Sequence, residues 1–282
     1  MSTSTSANAT RSHWKGFSAI RYLVIFGDSY SDVGYDSTSP HPTKEDPLGV
    51  PYPGDRLWTM ADDSDDAPPN WVGWLITEFA ANQGILVYDY AVGGNFVEDV
   101  VRQVQQHYLP SVGKKPEWAQ WSADDTLFVT WIGINDLAMA GDEAWMRHKF
   151  DRLFKQQEAV YESGARNFLF IDVPPMHITP AGGTNPSAKR GEIYNRWNVM
   201  LAQYVATFAS DHLDVTTMIF SSHQTFTDLI KDPVKYGFEK EEGRKRAGAV
   251  WVDYIHPTSK VHWVVARDLA SFLNAQPPFQ VA

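Results

Sequence analysis

Tyr22-Leu23-Val24-Ile25-Phe26-Gly27-Asp28-Ser29 is an apolar run that stops abruptly on a glycine and two polar residues. A strand with one wet face alternates apolar and polar residues, so an unbroken run of this length reads as a strand buried on both faces. Residues 85–90, 126–132, 167–172 and 215–220 have the same apolar, β-rich character. Helical spacing appears between and after them, at 71–81, 97–108, 143–163, 188–210 and 259–273. Strands and helices that alternate in this way predict an α/β domain with a parallel sheet covered on both faces. Ligands of such sheets lie outside the carboxyl ends of the strands. Ser29 follows the first strand there, Gly93-Gly94 the second and Asn135 the third, so three loops converge if the strands are parallel.

At 282 residues, 43% hydrophobic and 21% charged, the chain can bury one large core. Residues 1–18, dominated by Ser, Thr, Asn and Ala, read as a flexible tail, which leaves 19–282 as a single domain. A net charge of −10 argues against nucleic-acid partners, which require Lys and Arg concentrated on one face. The absence of cysteine excludes disulfides, a thiol nucleophile and thiolate metal sites. No apolar run approaches the roughly 18 residues of a membrane-spanning helix, so no membrane partner is expected. The start lacks the apolar core of a signal peptide, so the expected location is cytoplasmic as the chain stands, and secreted if a natural start was replaced.

The stretch 36–70 is long for a connection and rich in Pro, Gly and Asp, which suits the wall of a substrate cleft. Its acidic run Asp62-Asp63-Ser64-Asp65-Asp66 lacks the glycine and terminal glutamate of a calcium loop and reads as solvated. The mixed-charge stretch 239–246 reads as an exposed connection.

The candidate chemistry is nucleophilic. Ser29 suits either a helix N-cap or a nucleophile. Asp253-Tyr254-Ile255-His256 puts a carboxylate three residues before an imidazole, close enough to hydrogen-bond if the backbone bends back. Asp253 could then orient His256 as the base for Ser29, or simply cap a turn. Acyl transfer also needs donors aimed at the developing oxyanion. Gly94 lets its backbone N–H approach a ligand closely, though a tight turn needs a glycine equally. Asn135 offers a side-chain amide, or is an ordinary loop residue.

Gly27-Asp28-Ser29, the glycine of Ala91-Val92-Gly93-Gly94-Asn95, Gly133-Ile134-Asn135-Asp136 and Asp253-Tyr254-Ile255-His256 occur in the order of the four blocks of the GDSL, or SGNH, hydrolases, which the chain resembles from 27 to 256. The resemblance implies a three-layer α/β/α sandwich of flavodoxin-like type with a five-stranded sheet, and ester hydrolysis. It implies Ser29 as nucleophile, His256 as base and Asp253 as its orienting partner. The Ser29 N–H, the Gly94 N–H and the Asn135 side chain would form the oxyanion hole. Phe26-Gly27-Asp28-Ser29-Tyr30-Ser31, Pro47-Leu48-Gly49, Asn70-Trp71-Val72-Gly73 and Asp253-Tyr254-Ile255-His256-Pro257-Thr258-Ser259 are further similar to the fungal acetylesterases of carbohydrate esterase family sixteen. That likeness implies deacetylation of plant cell-wall oligosaccharides, such as acetylated xylo-oligosaccharides.

Other hydrolase and cofactor classes lack their motifs. No serine satisfies Gly-x-Ser-x-Gly, and no His-Glu-x-x-His, phosphate-loop or dinucleotide motif is present, so neither cofactor nor metal is expected. The expected activity is a serine esterase for short acyl groups on a small-molecule or oligosaccharide ester. The alternatives are a lipolytic esterase for longer chains and a non-catalytic carbohydrate-binding protein on an esterase scaffold. Most of the eleven tryptophans belong in the core, with Trp58 and Trp131 as candidates for stacking on a sugar ring. His41, His107, His148, His212, His223 and His262 read as surface or structural residues.

Overall fold

The computed structural model of the chain describes residues 10–60, 67–139, 141–183 and 187–280. Strands β1 (Tyr22–Gly27), β2 (Leu86–Asp89), β3 (Thr126–Trp131), β4 (Asn167–Ile171) and β5 (Thr216–Phe220) form one sheet in the order β2-β1-β3-β4-β5. Every neighbouring pair is parallel. All residues of β3 and β4 are buried, which is why they read as continuous apolar runs.

The helices are α1 (Trp71–Trp74), α2 (Val97–Arg102), α3 (Ile134–Ala138), α4 (Glu143–Glu162), α5 (Ala188–Asp211), α6 (Ser222–Lys231) and α7 (Ser259–Asn274). α4 touches α2 and α5, while α7 touches α1 and α6, giving the two helical layers of the expected sandwich. Asp142 caps α4 by accepting the Trp145 N–H at 2.9 Å, and Ser221 caps α6 by accepting the Gln224 N–H at 3.1 Å. α1 and α2 each continue as a π-helical turn, Leu75–Phe79 and Gln103–Tyr108. Two helices lie outside the sequence expectation. α3, at five residues, is too short to show a helical period, and α6 is a ten-residue helix that buries Phe226, Leu229 and Ile230 along one face.

The chain leaves β1 for the edge strand β2 and then crosses to β3 on the other side, so the direction of winding reverses between β1 and β3. Such a reversal opens a crevice at the carboxyl ends of those strands. Ser29 and Asn135 follow β1 and β3 there.

Three segments gain detail in three dimensions. The expected tail extends too far: Trp14 and Phe17 are buried, the Arg11 N–H donates to Thr216 Oγ1 at 2.8 Å, and the Trp14 indole donates to the Gln276 carbonyl at 3.1 Å. Indole burial explains the anchoring, and the described chain is part of the fold from Thr10 onward. The stretch 239–246 is mostly exposed, as expected, but is docked at its centre. Glu242 is buried and accepts the Ala249 N–H, and the Gly243 carbonyl accepts the Trp251 indole N–H at 2.9 Å. Within the stretch 36–70, residues 47–50 pack along the sheet edge, where the Pro47 carbonyl accepts the Val87 N–H at 2.9 Å and Leu48 and Val50 are buried. Its acidic run at 62–66 lies outside the described residues.

Candidate active site

The loop after β1 begins at Asp28, where the chain must leave the sheet. Asp28 Oδ1 accepts the Tyr30 N–H at 3.1 Å and its carbonyl accepts the Ser31 and Asp32 N–H groups, each at 3.0 Å, winding the loop into a turn. Ser29 sits on this turn, 6% exposed. Asn70, the N-cap of α1, braces it: the side-chain amide donates to the Ser31 and Asp32 carbonyls at 3.0 and 3.1 Å.

His256 arrives on the loop before α7. A bridge between Trp251 and Pro257 pins that loop, and the Val252 N–H donates to the His256 carbonyl at 2.9 Å. Asp253 Oδ1 accepts the Ile255 and His256 N–H groups, both at 2.8 Å, so the aspartate does form a turn. Its other oxygen meets His256 Nδ1 at 2.7 Å, and His256 Nε2 lies 2.9 Å from Ser29 Oγ. The turn and the side-chain contact are thus two halves of one carboxylate. Tyr30, whose hydroxyl donates to the Ile255 carbonyl, ties the Ser29 loop to the His256 loop across 225 positions of sequence. Nothing local to Tyr30 announces that role.

Burial opposes the charge on Asp253, but the His256 imidazole and the two backbone N–H groups outweigh it and hold the carboxyl down to about 2. An ionised Asp253 fixes the proton on Nδ1 and leaves the Nε2 lone pair facing Ser29. An imidazole held in this way can take the hydroxyl proton as the oxygen attacks. His262, fully buried behind Tyr30, is pushed down to about 3 by burial and by the neighbouring His256, so it stays neutral and structural.

The other expected donors lie on the loops that follow β1, β2 and β3. Gly94 has φ 79, a left-handed turn in which a Cβ would be strained. Asn135 Nδ2 donates one hydrogen to the Asn95 carbonyl at 2.9 Å, which leaves its second N–H available. Among the described residues the N–H groups of Ser29 and Gly94 have no hydrogen-bond partner.

The two tryptophan candidates part company. Trp131 is fully buried, with its indole N–H donating to the Asp172 carbonyl at 3.1 Å, so it is a core residue and cannot meet a sugar. Trp58, from the long insertion, is 44% exposed and lies over the His256 ring, with centroids 5.0 Å apart and planes 21° from parallel. Open space of about 600 Å³ borders Trp58, Met60, Arg246 and His256. On the other flank a cavity of about 170 Å³ is lined by Asn135, Met176, Ile193, Tyr194 and Ile255. Among the described residues no cluster of three or more His, Asp or Glu side chains could hold a metal ion.

A model of the GDSL-like lipase/acylhydrolase family matches residues 25–264, which contain all of these groups, and the chain belongs to that family. It is 31% identical to an acetylesterase of Thermothelomyces thermophilus, over 89% of this chain and 87% of the relative. It is 22% identical to an acetylesterase of Hypocrea jecorina, over 92% and 90%. Among solved structures, a variant of an acetyl-xylooligosaccharide esterase from Geobacillus stearmophilus has the same fold, with TM-score 0.54 and 16% identity over 93% of this chain and 97% of that one. A lipolytic G-D-S-L family protein from Veillonella parvula superposes with TM-score 0.52 and 14% identity, over 91% and 100%. The expected family and fold therefore hold, and the chain is a carboxylic ester hydrolase. No helix among the described residues is long and apolar enough to cross a membrane.

Proposed function

We propose that this esterase removes acetyl groups from oligosaccharides, acetylated xylo-oligosaccharides among them, through an acyl-enzyme on Ser29. The observation that carries the proposal is the continuous chain Ser29 Oγ, His256, Asp253, with contacts of 2.9 and 2.7 Å. Ser29 Oγ attacks the carbonyl carbon while its proton passes to His256 Nε2. The developing oxyanion is met by the Ser29 and Gly94 N–H groups and the free Asn135 N–H. His256 then returns the proton to the leaving alcohol oxygen. Water, deprotonated by the same imidazole, attacks the acyl carbon; the acyl–Oγ bond breaks, acetate leaves, and His256 returns the proton to Ser29 Oγ.

Proton delivery assigns the two flanks. The leaving alcohol must lie beside His256, where the open space is large and the exposed face of Trp58 suits a sugar ring. The acyl group then points toward the Asn135 flank. The acetyl preference draws support from the two similar fungal acetylesterases. A second reading has its own observation: apolar cavities of about 150 Å³ accept a benzene-sized guest, so the Asn135-flank cavity of about 170 Å³ has room for an acyl chain of about that size.

The test measures turnover of para-nitrophenyl acetate, butyrate and octanoate, and acetate release from acetylated xylo-oligosaccharides, by the parent, Ser29→Ala and Trp58→Ala. Ser29→Ala should lose on the order of 1000-fold or more in kcat on every ester. Trp58→Ala should raise KM several-fold for the oligosaccharide and little for para-nitrophenyl acetate, because only the sugar uses the indole. Rates that climb toward octanoate would replace the acetyl reading with the longer-chain one, and turnover independent of Ser29 would end the acyl-enzyme mechanism.

A further inference from the structure

The oxyanion-side groups come from three separate loops, so something must hold them in register. Gln103 is placed to do so. It is 1% exposed and opens the π-helical turn that follows α2. Its Oε1 accepts the Gly27 N–H at 3.0 Å, and its Nε2 donates to the Gly27 carbonyl at 2.8 Å and to Asn95 Oδ1 at 2.9 Å. The acceptor and both donors of the amide are thereby used.

Each partner leads directly to the site. Gly27 is the last residue of β1, two positions before Ser29. Asn95 follows Gly94, and its carbonyl accepts the Asn135 amide at 2.9 Å. β2 pairs with β1 only as far as Ile25, opposite Asp89. Beyond that point the Gly27 carbonyl keeps only a long contact, 3.3 Å from the Val92 N–H, and the Gly27 N–H has no backbone partner among the described residues; a buried donor left so is costly. The Gln103 amide stands in for the missing strand. The far end of the same turn is tied down independently, because Asp32 Oδ2 accepts the Gly93 N–H at 2.7 Å and Asp32 Oδ1 accepts the Gly34 N–H at 2.8 Å. The turn 93–95, with Gly94 at its centre, is therefore fastened at both ends by buried side chains. π-helical turns in α-helices are frequent at functional sites, and this one directs Gln103 inward.

We propose that Gln103 is a positioning residue for the oxyanion site, locking the strand end that leads to Ser29 and the Asn95 turn that carries Gly94 and steers Asn135. The inference rests on the acyl-enzyme reading above. Oxyanion donors act by being fixed before charge develops, and small misplacements cost rate rather than ground-state binding.

The experiment compares steady-state kinetics on para-nitrophenyl acetate for the parent, Gln103→Met, Asn95→Ala, Asn135→Ala and the double variant Gln103→Met/Asn135→Ala, with Ser29→Ala as control and thermal unfolding to confirm that each variant is folded. Gln103→Met should lower kcat on the order of 10- to 100-fold with KM within about twofold, since the lost register matters in the transition state. The double variant should fall little below Asn135→Ala alone, because the two act through one unit. Asn95→Ala removes the other end of the clamp, and its loss in kcat should match if Gln103→Met does not fold. An unchanged kcat, a change confined to KM, or full additivity with Asn135→Ala would overturn the inference. Turnover surviving in Ser29→Ala would instead refute the acyl-enzyme reading on which it rests.

Discussion

Asp28 should make the protein less stable as pH rises, and Asp28→Asn should remove that penalty. The carboxyl is 1% exposed, its Oδ1 accepts one N–H from Tyr30, and among the described residues its Oδ2 has no partner. Burial drives the group up to about 7, only partly offset by the Tyr30 N–H, with the nearby Asp136 and Asp32 carboxylates pushing the same way. The ordinary value is 3.8, so the folded protein keeps a proton that the unfolded chain releases over a gap of about three pH units. The contribution is fully present below about pH 4 and is lost as pH climbs through about 7, amounting to about 4 kcal/mol at 1.36 kcal/mol per pH unit. Some 3 kcal/mol of it, roughly, should disappear between about pH 5 and pH 8. Asparagine has the same shape and keeps an oxygen for Tyr30, yet cannot ionise. Urea unfolding followed by tryptophan fluorescence, repeated from about pH 5 to pH 9, should therefore show the variant gaining on the parent by about 3 kcal/mol across the range. Burial also raises Asp172 and Asp89, but they titrate in both proteins and cancel in the difference. Parallel stability curves would refute the reasoning, because they would mean that Asp28 ionises in the fold as easily as in the open chain.

Two further perturbations test neighbouring parts of the site. Asp253→Asn should cut kcat by on the order of 1000- to 10000-fold while leaving KM nearly unchanged, since the imidazole loses the partner that sets its tautomer. Because Asp253 is held down to about 2, no loss of activity between about pH 4 and pH 6 should trace to its protonation; an acid limb that persists unchanged in Asp253→Asn would confirm this, and one that vanishes would contradict it. Lys149 is buried, with Nζ 2.9 Å from Asp136 and 2.5 Å from Glu98. Lys149→Met should cost about 3 kcal/mol, because it leaves the Asp136 carboxylate buried without its cation; a loss under about 1 kcal/mol in denaturant unfolding would show that the single Val97 N–H suffices.

Much of the architecture was open to reading from the chain because full burial writes itself as continuous apolar sequence. All five strands lie where such runs occur, and a parallel sheet follows from the helical segments between them. The site was partly legible for a similar reason. Ser29, Asp253 and His256 stand in short motifs whose spacing is set by local geometry: the contact of Asp253 with His256 needs only a turn, and a turn involves neighbouring residues. Gly94 and Asn135 could be named as candidates because strand ends are visible in sequence, though not what holds them.

What the sequence by itself determined, then, was the five strands and the main helices between them, the chemical groups available at the strand ends, and the family to which they belong. Only the tertiary structure decided which of two tryptophans faces the cleft. Trp131 ends β3 and is buried against Tyr30 and Trp71, while Trp58 sits in an insertion that folds back over His256. Likewise a glutamine on a helix reads as exposed, and Gln103 is buried because β1 outruns β2 and leaves the Gly27 N–H in need of a partner 76 residues away. Hydrophobic periodicity records the burial of an element as a whole. The partner of one polar group is settled by where distant backbone ends meet, and no local pattern encodes that position.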